Sequence, residues 1–209
     1  MMDISNPMAD VVPSAHGPVL AVLASTTTPL TGRAVAKLTR PRVSQPRVAS
    51  ILNELAEAGL VNRTPAGSAS LFSLNREHLA AGPVGALASL RPQLWERITE
   101  HVSGWTHVPD GVVVYGSAAR GDGNSASDID VLVIRPPTVD DDDEDWHRDL
   151  TEFAAQVMRW TGNPCEVLDR SAEELRTMAA AGERLLADIR RDGRVLVGPM
   201  VLVPAPEEA

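Results

Sequence analysis

Two short runs hold the residues best suited to chemistry. Asp128 and Asp130 are separated only by Ile129 in Ser127-Asp128-Ile129-Asp130-Val131-Leu132-Val133-Ile134. The apolar run reads as a strand, so alternation sends both carboxylates to one face and Ile129 into the core. Two carboxylates abreast repel each other, and a divalent cation between them removes the conflict. Hard oxygen donors favour magnesium. Upstream, Val112-Val113-Val114-Tyr115 reads as a short buried strand running into Gly116, after which Ser117 opens a helix. A glycine there lets a phosphate approach the backbone, and the free N–H groups of a helix start attract anions. The Ser117 hydroxyl adds a donor, and Arg120, a turn later, leans toward the same charge. A phosphate cradle and a pair of metal ligands thus fall on neighbouring strands.

Gly116-Ser117, ten residues, then Asp128-Ile129-Asp130, with Ala-Arg-Gly and Ser-Asp between them, resembles the nucleotidyltransferase superfamily that includes DNA polymerase beta. The likeness is to its minimal and aminoglycoside-nucleotidyltransferase branches in particular. The resemblance implies a nucleoside triphosphate substrate, ATP above all, two Mg2+ ions, and nucleotide contacts from Gly116, Ser117, Arg120 and Ser127. It also implies a third carboxylate on a later strand, and Asn163-Pro164-Cys165-Glu166-Val167-Leu168-Asp169 is the one credible strand for it. In the resembling proteins the acid is followed by two apolar residues, which selects Glu166, with Asp169 as runner-up and better suited to a helix cap or strand end. Most relatives carry aspartate here, so glutamate is a mild departure. Asp128, Asp130 and Glu166 are therefore the expected catalytic and metal-binding set, with Glu166 a ligand or the general base. No Walker lysine motif is present, which disfavours P-loop chemistry.

These residues need a scaffold. The 209 residues, 44% hydrophobic and 22% charged, suit one large domain or two small ones. No apolar run is long enough to span a membrane, the first residues lack the pattern of a secretion signal, and Cys165 has no second cysteine to pair with. A cytoplasmic protein with no membrane partner is expected. The net charge of −9 is unevenly spread. Residues 1–90 hold seven Lys or Arg against five Asp or Glu, while residues 91–209 hold twelve against twenty-three. Opposite signs suggest two modules with different partners.

In the first module, Val19, Val22 and Leu23 recur at helical spacing. Thr31 is placed to cap a short helix bearing Val35 and Leu38, which Pro41 ends. Ser44 is placed to cap a third helix with the stripe Val48, Ile51, Leu52, Leu55, stopped at Gly59. Leu60–Arg63 and Ser70–Leu74 then alternate as strands around the turn Thr64-Pro65-Ala66-Gly67. Three helices and a hairpin resemble the winged helix-turn-helix of MarR-like and ArsR-like regulators. That resemblance implies DNA binding, with Gln45, Arg47, Ser50 and Asn53 near base edges and Arg42 (after Arg40) and Arg63 on phosphates.

The expected fold class is α+β: a winged helix-turn-helix over residues 14–80, connecting helices over 81–108 with a break or kink at Pro92, and a nucleotidyltransferase domain with a small mixed sheet over 109–200. The segment after Val203 reads as a loose tail. The expected function is metal-dependent transfer of a nucleoside monophosphate to a hydroxyl of an acceptor, whether small molecule, protein or tRNA. A DNA-binding regulator whose second domain senses nucleotide, and a toxin–antitoxin component, are the alternatives. Analogy with winged-helix proteins adds a homodimer.

Overall fold

The computed structural model describes residues 1–206. It divides the chain into two compact units, Asn6–Pro92 and Met1–Ser5 together with Gln93 onward. The fold is the expected α+β mixture, with two small sheets.

The first unit contains α1 (Met8–Val11), α2 (His16–Ala24), β1 (Leu30–Thr31), α3 (Gly32–Leu38), α4 (Gln45–Glu57), β2 (Val61–Ala66), β3 (Ala69–Leu74) and α5 (Ala81–Ala88). Its sheet has the order β1-β3-β2 and is antiparallel throughout. The two-residue β1 is too short to show an alternation in sequence. Thr31 caps α3 by accepting from the Ala34 N–H at 3.2 Å, whereas Ser44, at the same position before α4, makes no side-chain cap bond. Val48, Ile51 and Leu52 of α4 are fully buried among Val19, Leu23, Val35, Phe72 and Leu74. Fully buried Thr39 fixes the α3–α4 turn: its hydroxyl donates to Ala36 O and accepts from Val43 N.

The hairpin is tighter than expected. Thr64, Pro65 and Ala66 belong to β2, and Ala66 pairs with Ala69, leaving Gly67 and Ser68 as the turn. Pro65 is tolerated because β2 lies at the sheet edge, where a missing donor costs little.

After α5 the chain breaks at Ser89, not at Pro92, which sits in the first turn of α6 (Leu90–Ser103), where its missing N–H is harmless. The second unit continues with β4 (Gly111–Tyr115), α7 (Gly116–Arg120), β5 (Ile129–Arg135), α8 (Glu144–Thr161), β6 (Cys165–Ser171), α9 (Ala172–Ala180), α10 (Arg184–Asp192) and β7 (Arg194–Val197). The sheet order is β6-β5-β4-β7; β5 and β6 are parallel, linked across α8, and the other pairs are antiparallel. Alternation on β4 and β5 divides the core into two layers. Val112, Val114, Ile129, Val131 and Val133 pack with Ile98, Trp146, Phe153 and Val157. Val113, Leu132 and Ile134 pack with Leu175, Leu186 and Ile189. The acidic run before α8 feeds that helix: Asp143 accepts from the Trp146 N–H at 2.8 Å, with Glu144 and Asp145 in the first turn. Val203, just before the expected tail, is buried and its carbonyl accepts from Arg190; of the tail itself, residues 207–209 lie outside the described residues.

Candidate active site

The sheet register assembles the acidic site. Asp130 pairs with Tyr115 across the antiparallel β4–β5 ladder and with Glu166 across the parallel β5–β6 ladder. Residues opposite each other share a face, so Tyr115, Asp130 and Glu166 stand in one row across three strands, on the face that carries Leu132 and Leu168. Asp128 lies one residue before β5 rather than within it, and fully buried Ile129 anchors the strand between the two aspartates. Burial raises the Asp130 pKa above the usual carboxylate range, and the charges of Glu166 and then Asp128 add to it, eased by Arg120. None of the three carboxylates forms an ion pair with the described residues.

The turn after β4 is built around Asp130. Gly116 adopts φ +66°, and a Cβ there would stand 2.3 Å from Asp130 Oδ2. Both the left-handed backbone and the close approach require glycine. The start of α7 therefore lies against the aspartate. Ser117 and Ser127 also converge: their hydroxyls lie 2.9 and 3.1 Å from the point where a Cβ on Gly123 would stand. Ser127 Oγ accepts from the Asn124 N–H. Arg120 acts electrostatically on Asp130 but makes its ion pairs with other carboxylates. Its Nε donates to Asp122 at 2.9 Å, and its guanidinium lies 3.8 Å from Asp192 at the end of α10.

Alternation on β6 separates the two candidates for the third acid. Glu166 and Leu168 share the face of Asp130, while Asp169 lies on the opposite face. There it accepts from buried Arg135 at 2.9 Å, and Arg135 also binds Glu174 at 3.2 Å. Asp169 is not a helix cap, because Ser171 caps α9 in a reciprocal box with Glu174. Burial raises the Asp169 pKa, opposed by Trp146 and by Arg135. Trp146 lies near enough to act on it, yet neither Trp146 Nε1 nor Asp169 Oδ1 completes a hydrogen bond of good geometry.

Tyr115 was not singled out from sequence. Its phenol is pushed up to about 12, by burial and then by Asp130 and Glu166, so it stays a protonated donor beside two carboxylates. The available signal was its place directly before Gly116, two residues from core-facing Val113. The Cys165 thiol is likewise pushed up to about 12, by burial first, and it packs against the apolar core as a neighbour of the site rather than a nucleophile.

The donor set fits a hard divalent cation. It consists of carboxylate oxygens, mutually repelling, the donors such a cation takes. Among the described residues no three His, Cys, Asp or Glu side chains are already gathered into a cage.

In the first unit, Arg42, Gln45, Arg47, Ser50, Asn53 and Arg63 are all exposed. Arg33, Lys37, Arg42, Ser44 and Gln45 line a surface depression at the start of α4. Ser50 donates to Glu54 at 2.6 Å, and Arg47 lies 3.8 Å from the same carboxylate. Arg63 donates to Ser70 and to Asn53, with its guanidinium over the Phe72 ring at 6.0 Å. Among the described residues no helix is long and apolar enough to cross a membrane.

No curated protein matches the chain. Among solved structures, a toxin–antitoxin with AMP-PNP is 19% identical over 51% of this chain and 75% of that one, with a TM-score of 0.37. A mutant of the toxin–antitoxin MntA-HpeT is 17% identical over the same shares, also at 0.37. TrmBL2, an archaeal chromatin protein, is 13% identical over 90% of this chain and 78% of its own, at 0.31. Residues 92–166, which span the row of Tyr115, Asp130 and Glu166 and the Gly116-Ser117 turn, match the family model of the nucleotidyltransferase domain.

Proposed function

We propose that the second unit transfers a nucleoside monophosphate from a nucleoside triphosphate, ATP above all, to a hydroxyl of an acceptor. The carrying observation is the shared face of Asp130 and Glu166 beside the Gly116-Ser117 turn. Asp128, Asp130 and Glu166 are the residues that would hold Mg2+. A cation held there would offset triphosphate charge and acidify the attacking hydroxyl. Gly116 lets the backbone turn close against Asp130, and Ser117 and Ser127 would supply hydroxyl donors to phosphate oxygens beside that turn. Tyr115, protonated at neutral pH, offers a further donor at the edge of the row. The acceptor oxygen attacks the α-phosphorus, the bond to the bridging oxygen breaks, and pyrophosphate leaves with that electron pair. Glu166, the exposed member of the set, takes the acceptor proton.

The test is incubation with labelled nucleoside triphosphates, Mg2+ and a panel of small-molecule, protein and tRNA acceptors. Transfer is expected from the wild type and not from Asp128→Ala or Asp130→Ala. Transfer that persists in both variants would refute the assignment.

The first unit supports a second, compatible reading as a DNA-binding module. Its order of helix, strand, two helices and hairpin puts exposed Gln45, Arg47, Ser50 and Asn53 on α4, with Arg42 ahead of it and Arg63 on β2. Gel shift with DNA from upstream of its own gene tests it, and no shift at low ionic strength counts against it.

A further inference from the structure

We infer that Asn163, with the N-terminal strap Met2–Ser5, positions Asp128. The inference rests on the proposed function only for what Asp128 does. Helix α8 ends at Gly162 in the left-handed region (φ +75°), and the next residue, Asn163, is fully buried. Its side-chain amide and its backbone N–H all find partners. Its Nδ2 donates to Ser127 O at 2.9 Å, its Oδ1 accepts from Met2 N at 2.7 Å, and its own N–H donates to Thr161 Oγ1 at 3.1 Å. The amide orientation follows from its neighbours, because only this one gives a carbonyl a donor and an N–H an acceptor. The next residue, Pro164, accepts from Ile129 N at 2.9 Å. Asp128 is thereby bracketed: the residue before it and the residue after it are both tied to Asn163-Pro164, the segment that leads into the strand of Glu166.

The strap completes the arrangement. Met2 N–H donates also to Thr161 O at 2.9 Å, Ile4 is buried in the same apolar layer as Ile129 and Val131, and Ser5 Oγ donates to Gly123 O at 2.7 Å. Gly123 is where the Ser117 and Ser127 hydroxyls converge. Most other hydrogen bonds of residues 121–127 run within the loop or back to α7. The strap and Asn163 therefore tie this loop at two separate points, one next to the nucleotide-binding serines and one next to Asp128. Groups that orient metal ligands from behind commonly change metal affinity 10- to 100-fold when removed.

The test uses the full chain as wild type, Asn163→Ala, Met2→Pro and Ser5→Ala, with Asp130→Asn as control. Met2→Pro deletes the N–H that Asn163 Oδ1 and Thr161 O both accept, and Ser5→Ala cuts the tie to Gly123, so both remain informative should Asn163→Ala fail to fold. Hydrogen–deuterium exchange over residues 121–129 and Mn2+ binding by electron paramagnetic resonance are measured. Faster exchange confined to 121–129, with Mn2+ affinity about tenfold weaker, is the expected result. Unchanged exchange and unchanged Mn2+ affinity in both Met2→Pro and Ser5→Ala would overturn the inference. Equal Mn2+ binding by wild type and Asp130→Asn would instead sink the reading of the carboxylates as a metal site, while exchange would still judge the strap by itself.

Discussion

Asp130 and Glu166 occupy matched positions on adjacent parallel strands, and among the described residues no cationic side chain forms an ion pair with either. Such a pairing works against the fold, since like charges directly opposite each other destabilise a sheet. Burial of Asp130 adds to the cost. Replacing it by asparagine keeps the shape and removes the charge. Asp130→Asn is expected to raise the thermal midpoint at pH 7 while lowering nucleotidyl transfer at least about a hundredfold, the loss of several kcal/mol of charge stabilisation. Calorimetry and the labelled-nucleotide assay on the same preparation check both halves. A midpoint that falls would show that the aspartate is held by interactions that offset its repulsion.

The two acids of β6 should separate cleanly. Glu166 is exposed on the Asp130 face, whereas Asp169 is joined to buried Arg135 on the other. Glu166→Gln should abolish transfer with little change in stability. Arg135→Met should leave a carboxylate buried without its cation and destabilise the unit by about 3 kcal/mol. The double change Arg135→Met with Asp169→Leu should recover most of that loss, because removing both partners leaves no unpaired charge. Urea unfolding measures the three stabilities, and a double variant no better than Arg135→Met would contradict the argument.

Much of this site was legible before the fold was known, for reasons that particular residues make plain. Asp128-Ile129-Asp130 and Gly116-Ser117 are local patterns in which spacing alone fixes the relation between groups. Glu166 over Asp169 was open from alternation and was chosen on a family pattern; the β5–β6 register places Glu166 beside Asp130. Tyr115, Asn163 and the pairing of Arg120 with Asp122 and Asp192 were not legible. Apart from the neighbouring Arg120–Asp122 pair, each depends on contacts between segments further apart in sequence, such as Met2 with Asn163, which periodicity does not carry. The hairpin turn was misplaced because Pro65 reads as a breaker until its strand is seen to lie at an edge.

His101 gives the second unit a pH dependence of stated sign. Its ring stacks on Phe153 at 5.9 Å and meets Trp160 edge-on at 5.8 Å. Burial lowers its pKa below the ordinary 6.5, against the pull of Glu152 and Asp149. The unfolded chain then takes up a proton more readily than the folded one, so stability is full above about 6.5 and declines as pH falls below it. His101→Phe keeps a ring in place without a titrating group. Its thermal midpoint should fall less than that of the wild type between pH 7 and pH 5. Parallel curves for the two proteins would remove His101 from the account.

The DNA reading predicts a division of labour among exposed residues of the first unit. Arg42 precedes α4 beside the depression lined by Arg33 and Lys37, an electropositive spot suited to a phosphate. Gln45 stands at the helix start, where a side chain reaches base edges. Arg42→Ala should weaken binding about equally for all duplexes and lower the slope of log affinity against log salt by about 1. Gln45→Ala should leave that slope unchanged and flatten the preference among sequences. Arg63 is fixed by Ser70 and Asn53 over Phe72, so Phe72 and Asn53 hold it ready for phosphate at little entropic cost. Asn53→Ala should therefore act partly through Arg63, and its effect should shrink in an Arg63→Ala background. Fluorescence anisotropy between 50 and 200 mM salt measures all of these. Equal slopes for wild type and Arg42→Ala would take Arg42 off the DNA backbone, whatever the helix beside it reads.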